Sequence, residues 1–249
     1  MSLHVSFSGL GKAVAAVAGL ALAGSLSACN AENVSFAGKK GVPLAELDLS
    51  GAAPTSIALA GPDTVKLTEG EKLKIDVEGS DAMVAAMRFH LDDNTLAILR
   101  SKDAPDGETA TVFVTMPAPK SLTLAGSGRI EAKTVAKDTS VTIAGSGKIK
   151  TGKITTDRLD VNVVGSGQYQ TGGSTARLDL NVAGSGNADM EKLRAERANI
   201  TIAGSGEGAF RSDGKVTANI IGSGKVHVIG RAKCEVSAMG SGKLVCEEA

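Results

Sequence analysis

The stretch VTIAGSGKIK at residues 141–150 alternates apolar and polar side chains, turns at a Gly-Ser-Gly, and then resumes the alternation. Close copies of this stretch fill the second half of the chain. Gly-Ser-Gly begins at positions 126, 145, 165, 184, 204, 222 and 240, with spacings of 18 to 20 residues. A nearly constant period of about 19 residues is the signature of a solenoid, in which each repeat forms one coil.

Alignment of the repeats on their glycines predicts which side chains face the interior. The positions four and two residues before the first glycine, such as Val141 and Ile143, are apolar in every repeat. The position four residues after that glycine is also mostly apolar. Alternation with a period of two on both sides of a turn predicts strand, corner, strand. Between the first two apolar positions stands a residue that should face outward, as a contact face: Thr123, Thr142, Asn162, Asn181, Thr201 and Asn219.

Glycine suits the corner because it has no Cβ and adopts positive φ without a clash. A second corner, such as Thr151-Gly152-Lys153 or Thr171-Gly172-Gly173, closes each coil. Stacked coils place parallel strands about 4.8 Å apart, so each coil pairs its backbone groups with the next one. The predicted structural corners are Gly126, Gly128, Gly145, Gly147, Gly165, Gly167, Gly184, Gly186, Gly204, Gly206, Gly222, Gly224, Gly240 and Gly242.

The repeats therefore predict an all-β fold, with a parallel β-helix over residues 120–249. A membrane β-barrel is the alternative architecture, but such barrels carry aromatic girdles. This chain has no Trp, one Tyr and an aromatic content of 2%. Its 27 basic and 27 acidic residues give a formal charge of zero. We expect no nucleic-acid partner, because such proteins carry a basic excess or stripe.

The N-terminus has the features of an export signal. Residues 1–28 contain one charged side chain, Lys12, and a short apolar run over residues 13–22. Leu26-Ser27-Ala28-Cys29 resembles the lipobox of bacterial lipoproteins, which implies that Cys29 is the lipid-attachment residue and becomes residue one. Asn30 after the cysteine implies sorting to the outer membrane. An ordinary signal peptide that contains a cysteine is the alternative.

Two segments separate the signal from the repeats. Residues 29–52 are polar and small, and we predict a flexible tether. Residues 53–119 form a β-rich N-terminal part, with strands predicted at 56–60, 64–67, 73–77, 95–99 and 111–115. Turn signals such as Gly61-Pro62-Asp63 separate them. Residues 81–89 are expected to form one or two helical turns.

The sequence resembles the GIN-domain family, the putative autotransporter adhesin head domain. The resemblance rests on the seven Gly-Ser-Gly coils, on SIALAGPDTVKLTEGEKLKIDVEG (56–79) and on MPAPKSLTLAGSG (116–128), and it covers about residues 45–246. It implies a right-handed parallel β-helix, often on secreted or lipid-anchored bacterial proteins. The family carries no agreed catalytic residues, so the resemblance supplies none.

Few residues suggest chemistry. Asp160 and Asp179 share a position in successive coils, so they either share a cation or lie solvated beside neighbouring Lys and Arg. His90 and His227 have no Cys or His at ligand spacing, and we expect no metal site, no cofactor and no catalytic residues. Cys234 and Cys246 fall at inward positions around the last corner. They form either a disulfide that caps the C-terminal end or two buried thiols.

These observations predict a non-enzymatic, exported lipoprotein that acts as a structural or adhesin-like binding module at the cell envelope. Its membrane attachment would be the lipid anchor, and its partner a surface glycan or an envelope protein. A glycan-binding or glycan-active, lyase-like β-helix is the alternative, and activity would require a cleft of charged side chains across coils. A third interpretation is an assembly factor that recognises partners through the edge of the helix.

Overall fold

A computed structural model describes residues 41–92 and 94–248. The predicted signal peptide, the lipobox residues and Cys29 lie outside the described residues. A 3-10 helix (Leu44–Glu46) and helix α1 (Asp81–Ala86) accompany sixteen strands. The strands are β1 (Ser56–Ala60), β2 (Thr64–Glu69), β3 (Lys74–Glu78), β4 (Met87–Leu91), β5 (Thr95–Arg100), β6 (Thr111–Met116), β7 (Ser121–Gly126), β8 (Arg129–Ala132), β9 (Asp138–Gly145), β10 (Lys148–Gly165), β11 (Gln168–Gly184), β12 (Asn187–Gly204), β13 (Glu207–Gly222), β14 (Lys225–Ile229), β15 (Lys233–Gly240) and β16 (Lys243–Glu247).

The repeats stack as a parallel β-helix, which confirms the predicted fold class. Strands β9 to β13 and β15 pair in parallel with their corners in register, so that Gly145 lies beside Gly165 and Gly165 beside Gly184. The N–H groups of Ser146 and Gly147 each donate to the carbonyl oxygen of Gly126 at 3.0 Å. The coils are therefore joined at their corners as well as along their strands.

The first glycine of each corner meets two requirements that no other residue meets. Its φ lies between +105° and +127° in all seven repeats, which is a conformation that L side chains rarely adopt. A Cβ at Gly145 would also lie 2.5 Å from the carbonyl oxygen of Gly126 in the preceding coil. The corner glycines thus allow the coils to approach within hydrogen-bonding distance.

The predicted inward positions form the core. Val141, Ile143 and Val163 have no exposed surface. In the last coil Val236 is 53% exposed, because no further described coil stacks on it. Tyr169 is the largest of the fully buried side chains in this interior, and its hydroxyl is 3.0 Å from Thr151 Oγ1. Burial raises the pKa of Tyr169 to about 12, and hydrogen bonding with threonine opposes that rise.

The N-terminal strands extend the same β-helix. Strand β1 pairs in parallel with β5 on one side and β7 on the other, and β2 pairs likewise with β6 and β8. The first coil in the sequence (β1–β2) therefore lies between the second (β5–β6) and the third (β7–β8). Strands β4 and β3 pair antiparallel with β5 and β6 at the N-terminal end. All sixteen strands belong to one sheet.

The corner between β1 and β2 differs from the later ones. Asp63 occupies the place of the second glycine, and its side chain is fully buried. Its carboxylate accepts hydrogen bonds from Arg100 and from the backbone N–H of Ala110, the latter at 2.7 Å. The ion pair ties the first coil to the second.

Part of the segment predicted to be a tether packs against the fold. Val42 and Phe89 exchange backbone hydrogen bonds of 2.8 Å. Leu44 and Leu47 contact the core. These apolar side chains explain the order of residues 42–47, because their burial favours a fixed position.

The segment predicted to be helical is divided between a helix and a strand. Ser80 Oγ accepts from the backbone N–H of Met83 at 3.3 Å, which caps helix α1. The helix ends at Ala86, and the next residue begins strand β4.

Candidate functional site

The structure brings the six predicted contact residues together in one row on the outer side of the strands, in which Thr142 is buried, Asn219 is exposed and the other four are half-buried. Strand register places Thr123 beside Thr142 and continues without a shift to the far end of the row. Asn181 Nδ2 donates to Asn162 Oδ1 at 3.1 Å, so neighbouring members of the row restrain each other. We call this row and the two rows that flank it on the same side the ladder face.

One flanking row is apolar, and its two largest side chains lie at the C-terminal end. It begins with alanines and ends with Ile221 and Met239, which lie beside each other in register. Val164, Ile221 and Met239 are 53%, 55% and 72% exposed. The row consists of Ala125, Ala144, Val164, Ala183, Ala203, Ile221 and Met239.

The other flanking row holds Asp160 and Asp179, and the structure decides between their two interpretations. The two residues are in register, and each carboxylate is bound by the arginine two residues before it. Arg158 Nε lies 2.9 Å from Asp160 Oδ2, and Arg177 Nε lies 2.7 Å from Asp179 Oδ2. Arg158 also reaches Asp179 at 3.4 Å. The carboxylates thus lie beside arginine, as the second interpretation expects.

The environment of Asp179 keeps its carboxyl group charged. Its partial burial acts to raise the pKa, but hydrogen bonds from Arg177 and Asn199 outweigh that effect and lower the pKa below its usual value. Asn199 Nδ2 donates to Asp179 Oδ1 at 2.9 Å. The row is therefore a hydrogen-bonded network that fixes the edge of the ladder face.

A concave feature, which the sequence did not predict, lies beyond the Gly-Ser-Gly corner, apart from the ladder face. Two depressions of about 370 and 660 Å³ adjoin each other and share Lys150, Thr151 and Gly152. We call this feature the trench. The glycines at the second corner of two adjacent coils, Gly152 and Gly172-Gly173, were the signal in the sequence, because they leave the surface without side chains. Side chains along its walls include Lys66, Phe113, Lys133, Gln170, Asp189 and Lys192.

The last coil is closed by a disulfide between Cys234 and Cys246, whose Cα atoms are 6.9 Å apart. Both residues continue inward rows, since Cys234 lies beside Val216 and Cys246 beside Val228. Cys234 packs against the core. The bond spans a coil that has a neighbour on one side only in the described structure.

Two observations concern the described residues alone. Within residues 41–92 and 94–248, no group of three or more His, Cys, Asp and Glu side chains is arranged to hold a metal ion. The helices in this same part of the chain are too short or too polar to cross a membrane.

The sequence model of a family described as "Putative auto-transporter adhesin, head GIN domain" matches residues 53–232. The chain belongs to the GIN-domain family. The match confirms the resemblance found in the sequence. It ends just before strand β15, so the disulfide-closed coil lies beyond the matched part of this GIN domain. No curated protein matches the chain significantly.

Several crystal structures share the fold of this GIN domain. A putative adhesin from Bacteroides fragilis has 18% sequence identity and a TM-score of 0.68, over 80% of this chain and 94% of that protein. A putative lipid binding protein from Parabacteroides distasonis has 23% identity and a TM-score of 0.62, over 80% and 94%. A putative adhesin from Parabacteroides merdae has 15% identity and a TM-score of 0.58, over 79% and 92%. At these identities the likeness extends to the fold alone.

Proposed function

We propose that this GIN domain is a non-enzymatic, adhesin-like binding module that an exported lipoprotein presents at the cell envelope. Its contact surface is the ladder face. The observation that carries the proposal is the unbroken register of Thr123, Thr142, Asn162, Asn181, Thr201 and Asn219 across six coils. A partner meets the same chemistry at every coil.

Two physical properties of the ladder face favour a large partner. Thr and Asn are short, so binding immobilises few side-chain torsions and loses little entropy. Their hydroxyl and amide groups both donate and accept hydrogen bonds, which suits sugars and protein backbones equally. The partner is therefore a surface glycan or an envelope protein.

Export and lipid attachment are supported by the sequence at residues 26–29 and agree with a family described as an adhesin head. Labelling cells with an alkyne fatty acid should mark the wild-type chain and leave a Cys29→Ser chain unmarked. Equal labelling of the two chains would remove Cys29 as the attachment residue. Fractionation of the labelled cells then tests the outer-membrane location.

No observation favours the glycan-active alternative. The family description and the similar crystal structures name adhesins and a lipid-binding protein rather than enzymes. Binding through the ladder face without turnover is accordingly the function we propose.

The test uses the full chain carrying Cys29→Ser, which keeps acyl groups away from the assay. This protein is screened on a glycan array and against separated envelope proteins, beside the double variant Asn162→Arg/Thr201→Arg. The matched control is Thr155→Arg/Ser174→Arg, which adds the same charges at exposed strand positions away from the ladder face. We expect the ladder variant to lose binding and the control to keep it. Equal binding by all three proteins would overturn the assignment.

A further inference from the structure

The first depression of the trench is lined by more lysines than carboxylates. Lys66, Lys133 and Lys150 line it from three coils, and Glu131 is the one acidic residue among the lining side chains. Strand register places Glu131 between Lys66 and Lys150, and its carboxylate lies 3.9 Å from Arg129, so one carboxylate faces three lysines and an arginine. In the part of the chain that the structure describes, no ion pair reaches any of the three lysines.

The concave shape results from residues without side chains. Gly152, Gly172 and Gly173 follow one another across two coils at the second corner, and the backbone forms the floor between taller neighbours. Gly173 has a φ of +115°, so this position resists replacement by a larger residue. The trench is thus a built feature of the β-helix rather than a gap between mobile side chains.

The lining of the trench changes along its length. The second depression is lined by Gln170, by the carboxylates of Asp189 and Glu191, and by three lysines: Lys150, Lys153 and Lys192. Gln170 Nε2 donates to Asp189 Oδ2 at 3.0 Å, which orients both groups. Amides and carboxylates of this kind are the usual partners of hydroxyl groups. Lysines therefore outnumber carboxylates along the whole trench, and the second depression adds an oriented amide and carboxylate that suit hydroxyl groups.

We propose that the trench binds an acidic oligosaccharide. Its carboxylate, phosphate or sulfate group lies among Lys66, Lys133 and Lys150, and its further sugar units extend toward Gln170 and Asp189, with Lys153 and Lys192 beside them. Lysine ammonium groups act as point charges and accept any of these anions. The two volumes lie within the usual range of ligand pockets, about 300 to 1,000 Å³.

A nucleic acid fits the trench less well than an acidic sugar. Single-stranded nucleic acids bind along basic grooves in which aromatic rings stack on the bases. Here the ring of Phe113 is covered by Lys66, whose Nζ lies 5.3 Å from the ring centre.

This inference does not depend on the ladder face. Titration calorimetry is performed with the full Cys29→Ser chain and six ligands: trigalacturonate, galacturonate, mannose 6-phosphate, neutral maltotriose, inorganic phosphate and a short single-stranded DNA. The double variant Lys66→Glu/Lys150→Glu is compared with Lys233→Glu/Lys243→Glu. The control changes the net charge equally, at exposed residues of the last coil that do not line the trench.

We expect both kinds of acidic sugar to bind at least about tenfold more tightly than maltotriose, because only they carry a charge for the lysines. The trench variant should weaken that binding about tenfold or more, and the control by less than about twofold. Asp189→Ala should weaken trigalacturonate and leave galacturonate unchanged. Comparison of the galacturonates with mannose 6-phosphate decides whether a carboxylate or a phosphate is preferred.

Three results would overturn the proposal: failure of every saccharide to bind, equal affinity for inorganic phosphate, or equal affinity for DNA. The thermal midpoints of all variants confirm that each remains folded. The ladder variant Asn162→Arg/Thr201→Arg should bind trigalacturonate normally, which separates the failure of one proposal from the failure of the other.

Discussion

Arg100 and Asp63, 37 residues apart in the sequence, form a two-point ion pair within the β-helix. Arg100 Nε lies 2.5 Å from Asp63 Oδ2, and Arg100 Nη2 lies 2.6 Å from Oδ1. The Asp63 side chain is fully buried, and the Arg100 side chain is 14% exposed. Such a pair is costly to break, because either partner alone would be a charge shielded from water.

Replacement of Asp63 by alanine should destabilise the protein by about 3 to 5 kcal/mol, since Arg100 and the N–H of Ala110 would both lose their acceptor. Urea unfolding measures this change. The control is Glu235→Gln in the pair with Lys215, whose side chains are 63% and 59% exposed. The urea midpoint of Glu235→Gln should equal that of the wild type, because exposed ion pairs contribute little to stability. Equal midpoints for both variants would contradict the structural role of Asp63.

Replacement of Gly145 by alanine should cost about 2 to 4 kcal/mol, because the new Cβ meets both a strained φ of +124° and the Gly126 carbonyl oxygen. Ser146→Ala is the matched control. Ser146 is exposed in the same corner, so its replacement should leave the thermal midpoint nearly unchanged. A well-tolerated Gly145→Ala variant would show that the corner does not require glycine.

Stability should fall above pH 10 because of Tyr169. Its pKa is about 12 in the folded protein and about 10 in the unfolded chain. The contribution of the buried phenol is fully present below pH 10 and is lost as the pH rises toward 12. The difference of two units corresponds to about 3 kcal/mol.

Unfolding midpoints of the wild type and of Tyr169→Phe, measured from pH 9 to 12, isolate this effect from the titration of lysines. The Tyr169→Phe protein should show a shallower decline. It should also begin less stable at pH 9, because the hydrogen bond with Thr151 is absent. If the wild type and Tyr169→Phe lose stability equally as the pH rises, the group whose ionisation destabilises the protein is not Tyr169.

Reduction of the disulfide should loosen the last coil and leave the others unchanged. The bond closes a loop with a sequence separation of 12, for which about 3 kcal/mol is expected. Hydrogen exchange should therefore accelerate in β15 and β16 of a Cys234→Ser/Cys246→Ser chain, while β10 and β11 stay protected. Accelerated exchange throughout the molecule would show that the bond supports the whole stack.

The sequence predicts the repeat region well because each coil repeats the same local solution. Gly145 and Gly165 both need positive φ and close approach, and that need is visible in the spacing of the corners. The buried ion pair of Asp63 could not be predicted in this way. Gly61-Pro62-Asp63 is recognisable as a turn, but its partner Arg100 depends on the coil of β5 lying below that of β1.

The ladder face could be predicted from the sequence, whereas the trench could not. Thr142 and Asn162 repeat one residue class at one position, so alignment alone predicts their row. Lys66 and Lys150 come from coils of different sequence, and only the strand register brings them to one surface, on either side of Glu131. Glycines at the second corner indicate a loose connection in the sequence, but the depth of the trench emerges from the stacked backbone.

The position of β1 between β5 and β7 has a consequence for biosynthesis. A chain that emerges N-terminus first completes strand β1 by residue 60, but its flanking strands arrive only with residues 95–100 and 121–126. The opening segment must therefore wait for later residues and assemble as a block of three coils. From β9 to β13 each strand pairs with one that precedes it in the sequence, so these coils need no later residues to begin their stacking.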